Sequence, residues 1–128
     1  MEFVHGDILD KDLIKKYFKK TDIVHHLAGV TDVPRTKSES VVEKDEKIKL
    51  VAEEGTQNIL DVIDSNCKII FPSTHVVFEG VEKVKNNISE EEDLKPVLAY
   101  ASSKAINEKQ LKKSGKNYII LRLGSVYG

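Results

Sequence analysis

The segment Lys68-Ile69-Ile70-Phe71-Pro72-Ser73-Thr74 begins as an apolar run and ends in two hydroxyl side chains. A short continuous run of this kind, over residues 68–71, is typical of a parallel strand that is covered on both faces. Similar apolar runs lie at residues 3–5, 22–28 and 118–123. The sequence therefore predicts four strands of a parallel sheet.

Helical patterns occupy the stretches between these runs. The first is a short helix that Asp10 or Asp12 can cap, with its apolar stripe on residues 13, 14, 17 and 18. Apolar positions recur at the helical period over residues 43–65, and a third helix is predicted over residues 98–114. The order β-α-β-α-β-α-β predicts an α/β fold, a doubly wound parallel sheet with helices on both faces.

The composition limits the kind of protein this can be. With 128 residues, 40% of them hydrophobic and 32% charged, the chain suits one soluble globular domain. Its 20 basic and 21 acidic side chains give a net charge of −1, so no basic excess is available for nucleic-acid phosphates. The longest apolar run, residues 97–101, is far shorter than the roughly 18 residues of a membrane helix. We therefore expect neither a nucleic-acid nor a membrane partner.

The cysteine content and the chain ends bear on compartment and completeness. Cys67 is the only cysteine, which excludes an internal disulfide and a multi-cysteine zinc site. The N-terminus lacks the basic and apolar regions of a signal peptide, and a cytoplasmic location is expected. Because the chain opens inside one predicted strand and stops directly after another, we expect a fragment of a longer protein.

The stretch Tyr100-Ala101-Ser102-Ser103-Lys104 carries the clearest chemistry. Tyr100 and Lys104 are four residues apart, so they lie one turn apart on the same face of the predicted helix. An ammonium beside a phenol favours the phenolate and lowers a pKa that is ordinarily about 10. Such a phenolate can take a proton from a substrate hydroxyl while the carbon gives up hydride. The spacing alone also fits a surface pair, so the surrounding sequence decides.

Polar and small residues follow three of the predicted strands. Thr74 follows the strand at 68–71, Ala28-Gly29 ends the strand at 22–28, and Asp7 follows the run at 3–5. The carboxyl ends of parallel strands meet at the edge where open α/β sheets bind ligands. Residues 76–96, which break the alternation, are predicted to form a long loop of the kind that is usually functional.

The residues that follow the three strands, together with the Tyr100–Lys104 pair, resemble in their order along the chain the extended short-chain dehydrogenase/reductase family. Within it they resemble the NAD-dependent epimerase/dehydratase group that acts on nucleotide sugars. The resemblance covers nearly all of the chain, and the form of the segment after Phe71 looks closest to reductase and dehydratase members. The matching segments are Gly6-Asp7-Ile8, His26-Leu27-Ala28-Gly29, Gly55-Thr56-Gln57-Asn58-Ile59-Leu60, Ser73-Thr74-His75-Val76-Val77-Phe78-Glu79-Gly80, Pro96 with Tyr100 and Lys104, and Arg122-Leu123-Gly124-Ser125-Val126-Tyr127-Gly128.

The resemblance implies a fold, a cofactor and a set of site residues. Residues 1–128 would be a partial Rossmann-like NAD(P)-binding domain, from the third to the sixth strand of the family fold. Tyr100 would be the acid/base, Lys104 would stabilise the phenolate and hold the nicotinamide ribose, and Thr74 would orient the substrate hydroxyl. NAD or NADP would lie against Asp7, Ile8, Leu27, Ala28, Gly29, Tyr100 and Lys104, with Asp7 near the adenine. The partner would be a nucleotide-sugar substrate, and a homodimer of the full-length protein is a further expectation.

The sequence also departs from the family pattern. The glycine-rich turn G-x-x-G-x-x-G, which holds the cofactor pyrophosphate at a helix N-terminus, does not occur in the chain, so we expect the chain alone to bind NAD weakly or not at all. Without the family's first two strands, the run at 3–5 should lie detached or pair in a non-family position. Ala52 and Ser125 stand where the family usually has asparagine, and the C-terminal substrate-binding part is missing.

Two alternatives stay open at this point. The chain could be a non-catalytic remnant of the same fold, although it retains Thr74, Tyr100 and Lys104. His25 and His26, adjacent on a strand, point to opposite faces and cannot share one metal, so one packed and one hydrogen-bonded imidazole is expected. The sequence does not decide the sugar, the choice of NAD or NADP, or whether the outcome is epimerisation, dehydration or reduction.

Overall fold

The computed structural model describes residues 2–30, 36–82 and 86–124, in which helices and strands alternate. The predicted helices are all present, and the largest difference is the end of the second, at Val62 rather than residue 65. None of the helices in these ranges is long and apolar enough to cross a membrane. The elements are α1 (Lys11–Phe18), β1 (Ile23–His25), α2 (Val42–Val62), β2 (Lys68–Thr74), α3 (Ala99–Lys113) and β3 (Asn117–Leu123), with 3₁₀ turns at Lys37–Glu39 and His75–Phe78.

The three strands form a parallel sheet in the order β1-β2-β3. Val24 lies opposite Ile69 in the first pair, and Ser73 lies opposite Arg122 in the second. This confirms the predicted partial Rossmann-like sheet, with β2 at its centre. The carboxyl ends of β2 and β3 therefore reach the same edge of the sheet.

The three helices lie against one face of this sheet. Both connections, from β1 through α2 to β2 and from β2 through α3 to β3, advance in the same direction across the sheet. Right-handed crossovers that advance in one direction place their helices on one face. The expected helices on both faces are therefore found, in the described ranges, on one face only. The core between helices and sheet consists of Ile14, Val24, Ile59, Leu60, Ile63, Cys67, Ile69, Phe71 and Leu111.

The other face of the sheet is apolar and exposed. Along β3 the residues on this open face alternate with Ile120 and Arg122, which are partly buried on the helix side. Four large side chains on the open face are between 40% and 50% exposed: Ile23, Ile119, Leu121 and Leu123.

The predicted strand at residues 3–5 is wrong. Within the described part of the chain this segment pairs with no strand, and Phe3 is 88% exposed. A strand is held by hydrogen bonds to a neighbouring strand, and in the family order that the resemblance implies, two further strands would separate this segment from β1. A cavity of about 400 Å³ lies between residues 2–8 and β1. The segment is thus detached from the sheet, which is one of the two positions expected for it.

The segment between β2 and α3 is tied back onto itself. The amide of Gly80 donates to the carbonyl of Lys95, and the amide of Lys95 donates to the carbonyl of Val77, both at 2.8 Å. A Cβ at position 80 would lie 2.6 Å from the Lys95 oxygen, so this close approach requires glycine. The described part of the long loop therefore brings residues 77–80 against the residues that lead into α3.

Candidate active site

Helix α3 begins beside the end of β2, and a side chain from the intervening segment fixes its start. The N-cap residue is Leu98, which offers no capping oxygen. One carboxylate oxygen of Glu79 instead accepts hydrogen bonds from the amides of Val97 and Leu98, each at 2.7 Å. Its negative charge also suits a helix N-terminus. Glu79, which the sequence reasoning missed, thus sets where the turn that carries Tyr100 begins.

Tyr100 and Lys104 lie together on α3, facing the end of β2. The Lys104 ammonium is 5.9 Å from the centroid of the Tyr100 ring and 4.6 Å from that of Phe71. It donates a hydrogen bond to the carbonyl of Pro72 at 3.0 Å. The predicted pair is therefore formed, and β2 supplies both an aromatic face and a carbonyl to its cation.

Burial dominates the protonation of both groups. It raises the pKa of the Tyr100 phenol and lowers the pKa of the Lys104 ammonium, because each charged form loses solvation. From the sequence alone, the ammonium is expected to lower the pKa of the phenol. In this structure the effect of burial is the larger one, so Tyr100 holds its proton more firmly than a tyrosine in water.

Thr74 is the last residue of β2 and is partly buried. Its hydroxyl accepts a long hydrogen bond, 3.4 Å, from the amide of Val76 and so caps the 3₁₀ turn. The carbonyl that holds Lys104 is two residues earlier on the same strand. His75, the next residue, is exposed, with its Nδ1 3.2 Å from the carbonyl oxygen of Leu123.

Four of the five other predicted cofactor residues line one cavity. This is the space of about 400 Å³ between the N-terminal segment and β1, and Asp7, Ile8, Leu27 and Ala28 are among its walls. Gly29 follows directly and is exposed. One oxygen of Asp7 accepts from the amide of Leu9 at 2.9 Å, which shapes the turn before α1.

The motif that starts at Gly55 on α2 holds the walls of this cavity. A Cβ at position 55 would lie 2.7 Å from Cγ2 of Ile8, and the Asn58 amide donates to the carbonyl of Ile8 at 3.1 Å. The hydroxyl of Thr56 lies 2.8 Å from Nε2 of His26. The motif thus joins α2 to both sides of the cavity, a role that its sequence alone does not reveal.

Two further positions are those where the sequence departs from the asparagine that is usual in the family, Ala52 and Ser125. Ala52 lies on α2, and its carbonyl accepts from the side chain of Asn107 at 2.8 Å. Ser125 and the three residues after it fall outside the described ranges. Among the described residues no cluster of three His, Cys, Asp or Glu is arranged to hold a metal ion.

Known proteins match both the sequence and the fold. CDP-paratose 2-epimerase of Salmonella typhi is 40% identical over 96 residues, which are 70% of this chain and 26% of that protein. The crystal structure of UDP-glucose 4-epimerase from Brucella ovis in complex with NAD has a TM-score of 0.74 and 30% identity, covering 94% of this chain and 38% of that one. The structure of UDP-glucose 4-epimerase from Thermotoga maritima with UDP-glucose has a TM-score of 0.78 and 26% identity, covering 98% and 42%.

The chain thus spans between 26% and 42% of the length of these relatives. The family model for the NAD dependent epimerase/dehydratase family matches residues 1–128. This match extends over the parallel sheet, the cavity at β1 and the Tyr100–Lys104 pair. The chain belongs to the NAD dependent epimerase/dehydratase family.

Proposed function

We propose that this protein takes part in NAD(P)-dependent conversion of a nucleotide sugar, as an epimerase, dehydratase or reductase. Hydride and a proton would be exchanged at a hydroxyl-bearing carbon of the sugar. The observation that carries the proposal is the placement of Tyr100 and Lys104 at the carboxyl end of β2, where open parallel sheets bind ligands. A soluble cytoplasmic enzyme, dimeric in its full-length form, is part of the same proposal.

The cavity at β1 fits one end of the dinucleotide. Its volume of about 400 Å³ and its mixed walls, apolar at Ile8 and Leu27 and acidic at Asp7, suit an adenosine group. The 128 residues contain no glycine-rich turn for the pyrophosphate. When bound, a nicotinamide cofactor accepts or returns hydride at the sugar carbon.

The side chains of this chain would handle the proton. Tyr100 removes it from the sugar hydroxyl or returns it there. Thr74, at the end of β2, orients the same hydroxyl through its own. Lys104 stabilises the phenolate, which needs this help because burial raises the pKa of the phenol.

Lys104 can serve this purpose without leaving its place. An ammonium has three donors, and the bond to the Pro72 carbonyl uses one of them. Among the described residues the other two donors have no acceptor, and they would serve the nicotinamide ribose and the phenol. The carbonyl thus orients the ammonium at the edge of the sheet where the reaction would occur.

Replacing Tyr100 by phenylalanine tests the proposal in the full-length protein. We expect kcat for conversion of UDP-glucose with NAD to fall by about 10²–10⁴-fold, the usual contribution of a general acid or base. The dissociation constant of NAD should stay within about twofold, because a lone hydroxyl contributes little to cofactor binding. Tyr118→Phe, which removes a phenol from β3, is the matched control and should leave both constants unchanged.

A Tyr100→Phe variant with kcat within a few-fold of wild type would contradict this role. The proton would then travel by another route, and His75 would be the first residue to examine because it follows Thr74 directly and is exposed at the same end of β2. If other nucleotide sugars are converted but UDP-glucose is not, the class of reaction stands and the sugar differs.

The alternative is a non-catalytic remnant of the fold, which the lack of the glycine-rich turn favours only for these 128 residues in isolation. The coding sequence before Met1 discriminates between the two. An in-frame strand followed by G-x-x-G-x-x-G would support the enzyme.

A further inference from the structure

A buried carboxylate lies one turn beyond Lys104 on α3. Glu108 is 0% exposed, and it follows Tyr100 and Lys104 at the same four-residue spacing, so the three side chains share one stripe of the helix. A buried charge is costly unless it is paired and hydrogen-bonded. The partners of Glu108 therefore show what this position holds in place.

The partners of Glu108 are two residues that lie opposite each other on the neighbouring strands β2 and β3. The Ser73 hydroxyl donates to Oε1 of Glu108 at 2.6 Å, and the Arg122 guanidinium donates from Nη2 to Oε2 at 2.8 Å and from Nε at 3.1 Å and 3.2 Å. Ser73 and Arg122 are opposite each other in the β2–β3 register. Charge-assisted, two-pronged bonds of this kind are both strong and directional. Glu108 thus joins α3 to one position of the sheet on two strands at once.

Two consecutive residues of β2 are held by two consecutive turns of α3. The carbonyl of Pro72 accepts from Lys104 at 3.0 Å, and the hydroxyl of Ser73 donates to Glu108 at 2.6 Å. The next residue of the strand is Thr74. These two bonds therefore fix the register between Thr74 and the helix that carries Tyr100.

Lys104 and Glu108, the two side chains of α3 that hold β2, differ in their other interactions. In the proposed function Lys104 also serves the phenolate and the ribose, whereas Glu108 is shielded from solvent and, among the described residues, is bonded to Ser73 and Arg122. We propose that Glu108 is a positioning residue, which with Arg122 holds Ser73 and so keeps Thr74 in register with Tyr100 while Lys104 engages the cofactor. This inference rests on the proposed function for Tyr100 and Thr74.

Arg122 extends the same network to the segment before α3. Its Nη1 donates to the carbonyl of Glu90 at 3.0 Å, and its guanidinium lies 5.2 Å from the centroid of the Phe78 ring. A change at Arg122 would disturb this segment as well as Glu108. Ser73 is the sharper position to change, because Ser73→Ala removes a single hydroxyl and leaves the Glu108–Arg122 ion pair intact.

The test compares Ser73→Ala with Asn107→Ala in the full-length protein. Asn107 is also buried, and it ties α3 to α2 through the carbonyl of Ala52 at 2.8 Å rather than to β2. We expect Ser73→Ala to lower kcat about tenfold with the dissociation constant of NAD within twofold. Asn107→Ala should lower the melting temperature by at least as much and leave kcat unchanged.

A second measurement, on the 128-residue chain without cofactor or substrate, does not depend on activity. In nuclear magnetic resonance spectra with labelled tyrosine rings and threonine methyls, Ser73→Ala should shift the signals of Thr74 and Tyr100, while Asn107→Ala should leave both in place. Unchanged signals in Ser73→Ala, or a loss of kcat that Asn107→Ala reproduces, would overturn the inference. If the wild-type protein shows no turnover at all, the proposed function fails, and the spectra alone decide whether Glu108 sets the register.

Discussion

At the scale of single residues, burial controls the protonation of His26. Its ring is 4% exposed, packs 5.4 Å from the Phe71 ring and has Nε2 2.8 Å from the Thr56 hydroxyl. Burial, and to a smaller degree the charge of Lys104, lowers its pKa to about 4. The imidazole is therefore neutral in the folded chain at physiological pH.

Because of this lowered pKa, the free energy of unfolding should depend on pH. Between pH 6.5 and pH 4, His26 is protonated in the unfolded chain but stays neutral in the folded chain. The stability that the neutral imidazole contributes is therefore fully present above pH 6.5 and is lost as the pH falls toward 4. The loss should reach about 3 kcal/mol, an order-of-magnitude figure from about 1.4 kcal/mol per pKa unit. Urea unfolding of wild type and His26→Gln at pH 7 and pH 4.5 measures it. If the wild type and His26→Gln lost the same free energy of unfolding between pH 7 and pH 4.5, His26 would not be the cause of the pH dependence.

Lys104 should affect both proton transfer and cofactor binding. We expect Lys104→Ala in the full-length protein to lower kcat by about 10²-fold or more and to weaken NAD binding about tenfold, as for a lost charged hydrogen bond. Without the ammonium the phenol should ionise less readily, so the rate that depends on phenolate should move to higher pH. Profiles of kcat from pH 6 to pH 11 check this, with the exposed Lys113→Ala of the same helix as control. A profile unmoved by Lys104→Ala would remove the residue from the proton step.

The residues that could be predicted from the sequence are those whose chemistry is local. Tyr100 and Lys104 were predictable because one helical turn joins them, and Asp10 because its side chain caps α1 through the amide of Leu13 at 3.0 Å. Glu79 and Glu108 were not, because their partners become neighbours only when β2, α3 and β3 pack. For the same reason the direction of the Tyr100 pKa shift was missed, since burial is a property of the packed chain.

At the scale of elements, the connection between β2 and α3 depends on one close backbone contact. A methyl group at position 80 would lie 2.6 Å from the carbonyl oxygen of Lys95, and backbone cannot move aside as a flexible side chain can. Gly80→Ala should therefore lower the free energy of unfolding by about 1–3 kcal/mol, as overpacking does. Gly124→Ala is the control, because among the described residues no atom lies within 4 Å of a Cβ built there. Equal urea midpoints for the two variants would refute the close contact.

The elements themselves were largely predictable because their patterns are periodic. The helices and the three strands of the sheet appear where apolar spacing placed them, although β1 covers only Ile23–His25 of the run at residues 22–28. The run at residues 3–5 has the same apolar character and forms no strand, because a strand also needs a neighbour. Composition shows that a segment is suited to a sheet, but it does not show that the sheet extends to it.

At the scale of the whole molecule, the described helices α1, α2 and α3 pack on one face of the sheet, and the residues described on the other face are apolar. The parallel class followed from the alternation of elements, whereas the single covered face follows from the direction of the crossovers, which a sequence pattern does not contain. The same arrangement leaves β1 with β2 on one side and the cavity of about 400 Å³ on the other. The proposed adenosine site would therefore lie beside β1, at the edge of the described part of the sheet.

This position predicts how the 128-residue chain should bind nucleotides. Most affinity for a dinucleotide comes from the pyrophosphate at a glycine-rich helix N-terminus, and these residues contain no such turn. In calorimetry we expect NAD to bind weakly or not at all, and any binding to match that of adenosine alone. Asp7→Asn should abolish this residual binding, while Asp12→Asn on the outer surface of α1 should not. Low-micromolar binding of NAD, much tighter than that of adenosine, would show that the pyrophosphate is held by residues other than a glycine-rich turn.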